Sequence, residues 1–151
     1  MNNEISITGT NGLQGNLDQF KGQWLILYFY PKDATPGCTI EGQQFRDAYP
    51  QFQALNAVIL GVSRDNAKSH DKFKAKECFP FELISDVDEQ LCQAFDVMKM
   101  KNMYGKQVRG IERSTFLFDP QGQLVHEWRK VSVEGHVAEV LATLKKLSVK
   151  S

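Results

Sequence analysis

Seven apolar residues, Trp24-Leu25-Ile26-Leu27-Tyr28-Phe29-Tyr30, follow one another without a break and run straight into Pro31. Aromatic and branched side chains with no polar alternation read as a strand buried on both faces, the centre of a sheet covered by helices. The run is the longest of its kind in the chain, yet far short of the ~20 residues that span a bilayer. A second run, Ala57 to Ser63, reads as another buried strand. Between them Phe45, Ala48, Phe52 and Leu55 recur on one side of a helix that begins near Cys38. Pro50 is expected to kink or end that helix.

The remaining segments fill in an α/β pattern. Residues 1–23 suggest a hairpin or edge strands, with NGLQGN as a turn. Residues 66–77 read as a charged helix whose main core contact is Phe73, followed by a short strand at Phe81–Ile84. A small helix carries Val87, Leu91 and Phe95, and KMKNMYGKQVRG reads as a polar, basic loop. Ser114–Asp119 and Leu124–Arg129 flank Pro120-Gln121-Gly122 as a hairpin. Glu134–Leu147 closes as an amphipathic helix with Val137, Val140, Leu141 and Leu144 inward. The expected architecture is one α/β domain, residues 1–151, with a mixed central sheet and helices on both faces.

Charge removes two classes of partner. Eighteen Lys and Arg balance eighteen Asp and Glu, so the positive surplus that grips nucleic acid or an anionic membrane is missing. MNNEISITGT has neither a basic n-region nor an apolar h-region, and the expected compartment is the cytoplasm. His70, His126 and His136 show no metal-like spacing to each other or to the cysteines, and no metal or organic cofactor is expected.

The three cysteines, Cys38, Cys78 and Cys92, include no C-x-x-C pair and no secreted disulfide pattern. Cys38 stands where the first buried strand gives way to a helix, in PKDATPGCTIE. A free thiol of pKa ~8.5 is only ~3% ionised at pH 7. The N–H groups and dipole of a helix N-terminus favour the thiolate, and a nearby cation adds to that. Thr35 stands where its hydroxyl can bond a ligand or the thiolate, and Gly37 lets a small substrate approach the backbone. A buried, inert thiol is the competing reading for a cysteine taken alone.

Pro31-x-x-x-Thr35-x-x-Cys38 resembles the active-site motif of the peroxiredoxins. FYPKDATPGCTIEGQQFRD, with GIERSTFLFDPQG later, resembles the bacterioferritin comigratory (Q-type) subfamily. The resemblance covers most of the chain and implies a thioredoxin-like fold and a thiol peroxidase acting on hydrogen peroxide and organic hydroperoxides. It implies that Cys38 attacks the peroxide and becomes a sulfenic acid, that Thr35 hydrogen-bonds the peroxide, and that Pro31 shields the pocket. Arg113 matches the arginine that stabilises the thiolate and the developing charge. The N–H groups of Gly37 and Cys38 complete the pocket, and Glu41 orients Arg113. Met103 and Tyr104 are candidates to line its mouth.

Resolution of the sulfenic acid is less clearly written. Many Q-type members carry a second cysteine five residues after the first, where this chain has Gln43; others carry it at a position aligned with Lys74. Cys78, at a helix end before Phe79-Pro80, is the remaining candidate, with an external thiol as the alternative. Cys92, within an apolar pattern, reads as core. The resemblance further implies thioredoxin as reductant and a monomer. Two rivals stand beside this reading. A thioredoxin-type reductase lacks its second cysteine here, and no proline precedes Thr115. A thioredoxin-like binding or holdase module with a vestigial peroxidase site leaves Pro31, Thr35, Cys38 and Arg113 together without a reason.

Overall fold

The uninterrupted apolar run becomes β3 (Trp24–Phe29), every residue of it buried. In this computed structural model, which describes residues 4–149, β3 is the middle strand of five. Residues 1–3 and 150–151, the ends of the expected hairpin segment and of the 1–151 domain, lie outside the described residues. In chain order the elements are β1 (Ile7–Thr8), β2 (Gln14–Gly15), β3, α1 (Pro36–Ala54), β4 (Ala57–Ser63), α2 (Ala67–Glu77) and β5 (Glu82–Ser85). Then come α3 (Gln90–Ala94), β6 (Met98–Met103), β7 (Lys106–Ile111), β8 (Ser114–Phe118), β9 (Leu124–Trp128) and α4 (His136–Ser148).

The central sheet runs β5-β4-β3-β8-β9. β3, β4 and β5 are parallel, while β8 pairs antiparallel with both β3 and β9, so the sheet is mixed as expected. Alternation along β3 then divides the core in two. Trp24, Ile26 and Tyr28 face a cluster with Phe45 and Phe52 of α1, Phe73 of α2, and Val140 and Leu144 of α4. Leu25, Leu27 and Phe29 face a second cluster with Ile7, Leu17, and Leu91 and Cys92 of α3. Helices therefore cover both faces. β1 and β2 form the small antiparallel pair expected near the N-terminus.

Three expectations are corrected. Pro50 does not end the helix, since α1 continues to Ala54. The ring removes one backbone hydrogen bond, but Phe52, fully buried beyond it, keeps the last turn on the sheet. KMKNMYGKQVRG is not a loop: β6 and β7 pair antiparallel from Met98↔Ile111 to Met103↔Lys106. Its turn residues Tyr104 (φ 54°) and Gly105 (φ 81°) are both left-handed, the type I′ geometry that suits a tight hairpin. Its polar residues are mostly exposed on both faces, so no alternation marked the strands. Val87 is exposed rather than core, and Val97 is buried beside Leu91 and Phe95 instead.

Candidate active site

Parallel β3 ends at the N-terminus of α1, and Cys38 is the third residue of that helix, buried at 2% exposure. Antiparallel β8 brings the second component to the same end. The register Phe29↔Ser114 sets Arg113, one residue earlier, beside the first turn of α1. Arg113 Nη2 lies 3.5 Å from Cys38 Sγ, and Nη1 donates to Glu41 Oε1 at 2.6 Å. Glu41 follows Cys38 by three residues, which puts both side chains on one face of α1. Its spacing from Arg113 in sequence is 72 residues, bridged only by the sheet.

The electrostatics of this trio are those of a nearly dry site. Glu41 is fully buried, and burial pushes its carboxyl up to about 7 although Arg113 pulls the other way. Its second oxygen, Oε2, is buried without a hydrogen-bond partner. Burial pulls Arg113 down, but Glu41 and Cys38 outweigh it and leave the guanidinium raised. A cation that cannot lose its proton therefore faces the sulfur. A Cβ on Gly37 would come 3.2 Å from Arg113 Nη2, so what approaches that backbone is the guanidinium.

Thr35 is the N-cap of α1, but its side chain caps no backbone N–H. The hydroxyl donates to Lys32 O at 2.8 Å across the loop, leaving its oxygen to accept from a ligand. Pro31, half-buried, opens that loop. Met103 and Tyr104 do not join the site: they lie at the hairpin tip, Tyr104 fully exposed.

Four neighbours were not legible as site residues. Lys101 of β6 donates from Nζ to Ile111 O at 2.5 Å, two residues from Arg113. Burial and the Arg113 charge hold it below the usual lysine range. Asp33, inside the Pro31–Thr35 loop, is buried at 7% and meets Tyr30 and the fully buried His70. The sequence carries no signal for Asp33, since a loop carboxylate is ordinarily solvated and its burial shows only in the structure.

Of the other cysteines, Cys92 is fully buried and burial pushes its thiol up, the behaviour of a core thiol. Cys78 is exposed and caps α2 in the left-handed conformation, φ 56°. The segment around it packs on the second turn of α1. Gln43 Nε2 donates to Glu77 Oε1 at 2.8 Å, and Arg46 Nη1 to Glu77 O at 2.9 Å. Phe79 occupies the space over Gly42, where a Cβ would come 2.3 Å from the ring. Lys74, at the aligned resolving position, instead donates to Phe79 O and Phe81 O.

The AhpC/TSA family model matches residues 3–127 of this chain. Peroxiredoxin Bcp of Xanthomonas campestris is 58% identical over 142 residues, 94% of this chain and 89% of that protein. Peroxiredoxin Bcp of Bacillus subtilis is 51% identical over 147 residues, 97% of this chain and 94% of its own. Among solved structures, the Xanthomonas campestris bacterioferritin comigratory protein, studied for alkyl peroxide reduction, superposes with a TM-score of 0.92 at 56% identity, covering 97% and 93% of the two chains. Peroxiredoxin 6 of Arenicola marina, at 17% identity, still superposes at 0.81 over 97% of this chain and 70% of its own. That last likeness speaks for the fold alone, the thioredoxin-like one.

Proposed function

The chain belongs to the AhpC/TSA family and is a Q-type peroxiredoxin, a thiol peroxidase, and from that premise we propose how its residues divide the reaction. The Cys38 thiolate attacks the distal oxygen of a hydroperoxide. The S–O bond forms as the O–O bond breaks, the alkoxide or hydroxide takes a proton and leaves, and Cys38 becomes a sulfenic acid. Thr35 Oγ1, its own hydrogen spent on Lys32 O, accepts from the peroxide O–H. The N–H groups of Gly37 and Cys38, at the free end of α1, favour the charge that builds on oxygen. Pro31 keeps water from the sulfur, and Glu41 aims Arg113.

The observation that carries this reading is the bridge made by Arg113, 3.5 Å from Cys38 Sγ and 2.6 Å from Glu41. A vestigial site in a binding or holdase module would not need a buried carboxylate to aim a cation at a thiol, and that alternative is not favoured. The Cys78 thiol then attacks the Cys38 sulfenic sulfur, releasing water and forming a disulfide, and two electrons and two protons from the reductant restore both thiols. The exposure of Cys78 at a helix end supports that step; an external thiol is the second route. Thioredoxin is the proposed reductant of a monomeric enzyme in the cytoplasm. Among the described residues no helix is long and apolar enough to cross a membrane.

Stopped-flow reduction of hydrogen peroxide and an organic hydroperoxide tests the assignment. Cys38→Ser should abolish the reaction, and Arg113→Ala should slow it by about tenfold or more, the loss of one charge-assisted contact. An Arg113→Ala protein that reacts at the original rate overturns the role of the arginine.

A further inference from the structure

The loop that presents Thr35 is anchored from below by contacts the peroxidase chemistry does not use. Its neighbours Lys32 and Ala34 are exposed, but Asp33 between them points into the protein. Tyr30 Oη donates to Asp33 Oδ1 at 2.6 Å, and Ser69 Oγ to Oδ2 at 2.7 Å. His70 Nδ1 lies 2.7 Å from the same Oδ2, and its Nε2 lies 2.8 Å from Ile84 O. Asp33 N–H donates to Asp65 Oδ2 at 2.9 Å, and that oxygen also takes the hydroxyl of Ser63 at 2.6 Å. A continuous chain of contacts thus runs from β5 through α2 to the middle of the loop.

The next residue explains why the loop needs an anchor. Ala34 has φ 63°, the left-handed region that a side chain rarely adopts. It stands directly before Thr35, whose hydroxyl reaches back to Lys32 O across the same turn. A loop so shaped relaxes unless its surroundings hold it. Ligand atoms of Asp33, Asp65 and His70 lie within 4.8 Å of one another, as a cation site would require. Both ring nitrogens and both Asp33 oxygens already face hydrogen-bonding groups, so the cluster serves as an internal clamp.

We propose that Asp33 and His70 are positioning residues of the peroxide pocket, fixing the Pro31–Thr35 loop to α2 so that Thr35 is held where the peroxide binds. The inference rests on the peroxidase reading above and adds two residues to it. It separates two properties of Cys38. Peroxide reduction needs both the thiolate and the shaped loop, whereas alkylation of Cys38 by iodoacetamide needs a thiolate and access to it but no hydroxyl from the loop.

The test compares peroxide reduction by stopped flow with alkylation of the Cys38 peptide by mass spectrometry, which leaves exposed Cys78 out of the reading. Both rates are measured in the full chain and in Asp33→Asn, His70→Asn and Tyr30→Phe, with folding followed by circular dichroism. Asp33→Asn and His70→Asn should lower the peroxide rate by about tenfold or more, the scale of a small misplacement in an active site. Tyr30→Phe, which removes one of three groups around the carboxylate, should lower it roughly fivefold. Alkylation should stay within about twofold throughout, because the reagent makes no use of the loop. Equal falls in both rates would mean that the pair acts on the thiolate and would overturn the inference. So would unchanged peroxide rates. If the two larger changes prevent folding, Tyr30→Phe decides alone, by the same comparison. An unsubstituted protein no faster with peroxide than free cysteine would defeat the peroxidase reading instead.

Discussion

At the scale of single residues, the active site is decided by how far burial outweighs charge pairing. Glu41 touches Arg113 at 2.6 Å, a contact that by itself would hold a carboxyl low, yet burial leaves it at about 7. The unpartnered Oε2 is the physical reason, since an ionised carboxylate would leave that oxygen charged and dry. The consequence for stability has a definite sign. An unfolded glutamate titrates near ~4.3, so between that value and about 7 the folded chain binds the extra proton. The stability this gives is fully present below ~4.3 and is lost as pH rises through about 7. Glu41→Gln has no proton to lose there. Its stability relative to the unsubstituted protein should therefore improve between pH 5 and pH 8, measured by urea unfolding at both values. A difference that does not move with pH would show that Glu41 does not titrate in this window.

Among the secondary-structure elements, the β6–β7 hairpin is the one held by charge rather than by core. Among the described residues it pairs only with itself, and its exposed faces contribute little to either apolar cluster beyond Ile111 and Met98. Arg109 supplies the missing attachment. Its guanidinium grips Glu89 with both nitrogens, Nη1 at 2.8 Å and Nη2 at 2.6 Å, and Arg64 adds a third contact at 3.1 Å. Hydrogen bonding from Arg109 holds the Glu89 carboxyl down to about 2. The attachment is therefore present above the ordinary glutamate range and lost only as pH falls through about 2. Lys101 donates within the hairpin to Ile111 O, and the chain runs on from Ile111 to Arg113 two residues later, so the hairpin borders that arginine. Arg109→Ala should speed amide hydrogen exchange across residues 98–111 while leaving the exchange of α1 unchanged. Equal protection of the hairpin in both proteins would mean that backbone pairing alone holds it.

Across the whole molecule, what could be read from the sequence is what short patterns encode. β3 and β4 were legible because both faces of each are buried, and α4 because Val137, Val140, Leu141 and Leu144 repeat on one face. Cys38, Thr35 and Arg113 were named from their motifs, and of these the structure brings Arg113 beside Cys38. The β6–β7 hairpin was not, since exposure on both faces erases period two. The Asp33–His70 contact was not, because it joins residues 37 apart and hides a buried histidine in a charged helix. The same limit applies to the resolving role proposed for Cys78, which would depend on motion. Cys38 lies buried under Arg113 and Cys78 is exposed at the left-handed cap of α2. Between α1 and α2 stand the Phe79–Gly42 packing and the Glu77 contacts to Gln43 and Arg46. A disulfide needs the two sulfurs in contact; with Cys38 buried and Cys78 facing solvent, the first turn of α1 and the end of α2 should both open once Cys38 is oxidised. Mass spectrometry after one equivalent of hydrogen peroxide, with a dimedone trap, reads the result. A protein lighter by two hydrogens, with the Cys38 and Cys78 peptides joined, is expected, and Cys78→Ser should leave a dimedone adduct on Cys38. An adduct on Cys38 in the unsubstituted protein, with Cys78 still free, would instead mean that the electrons come from an external thiol.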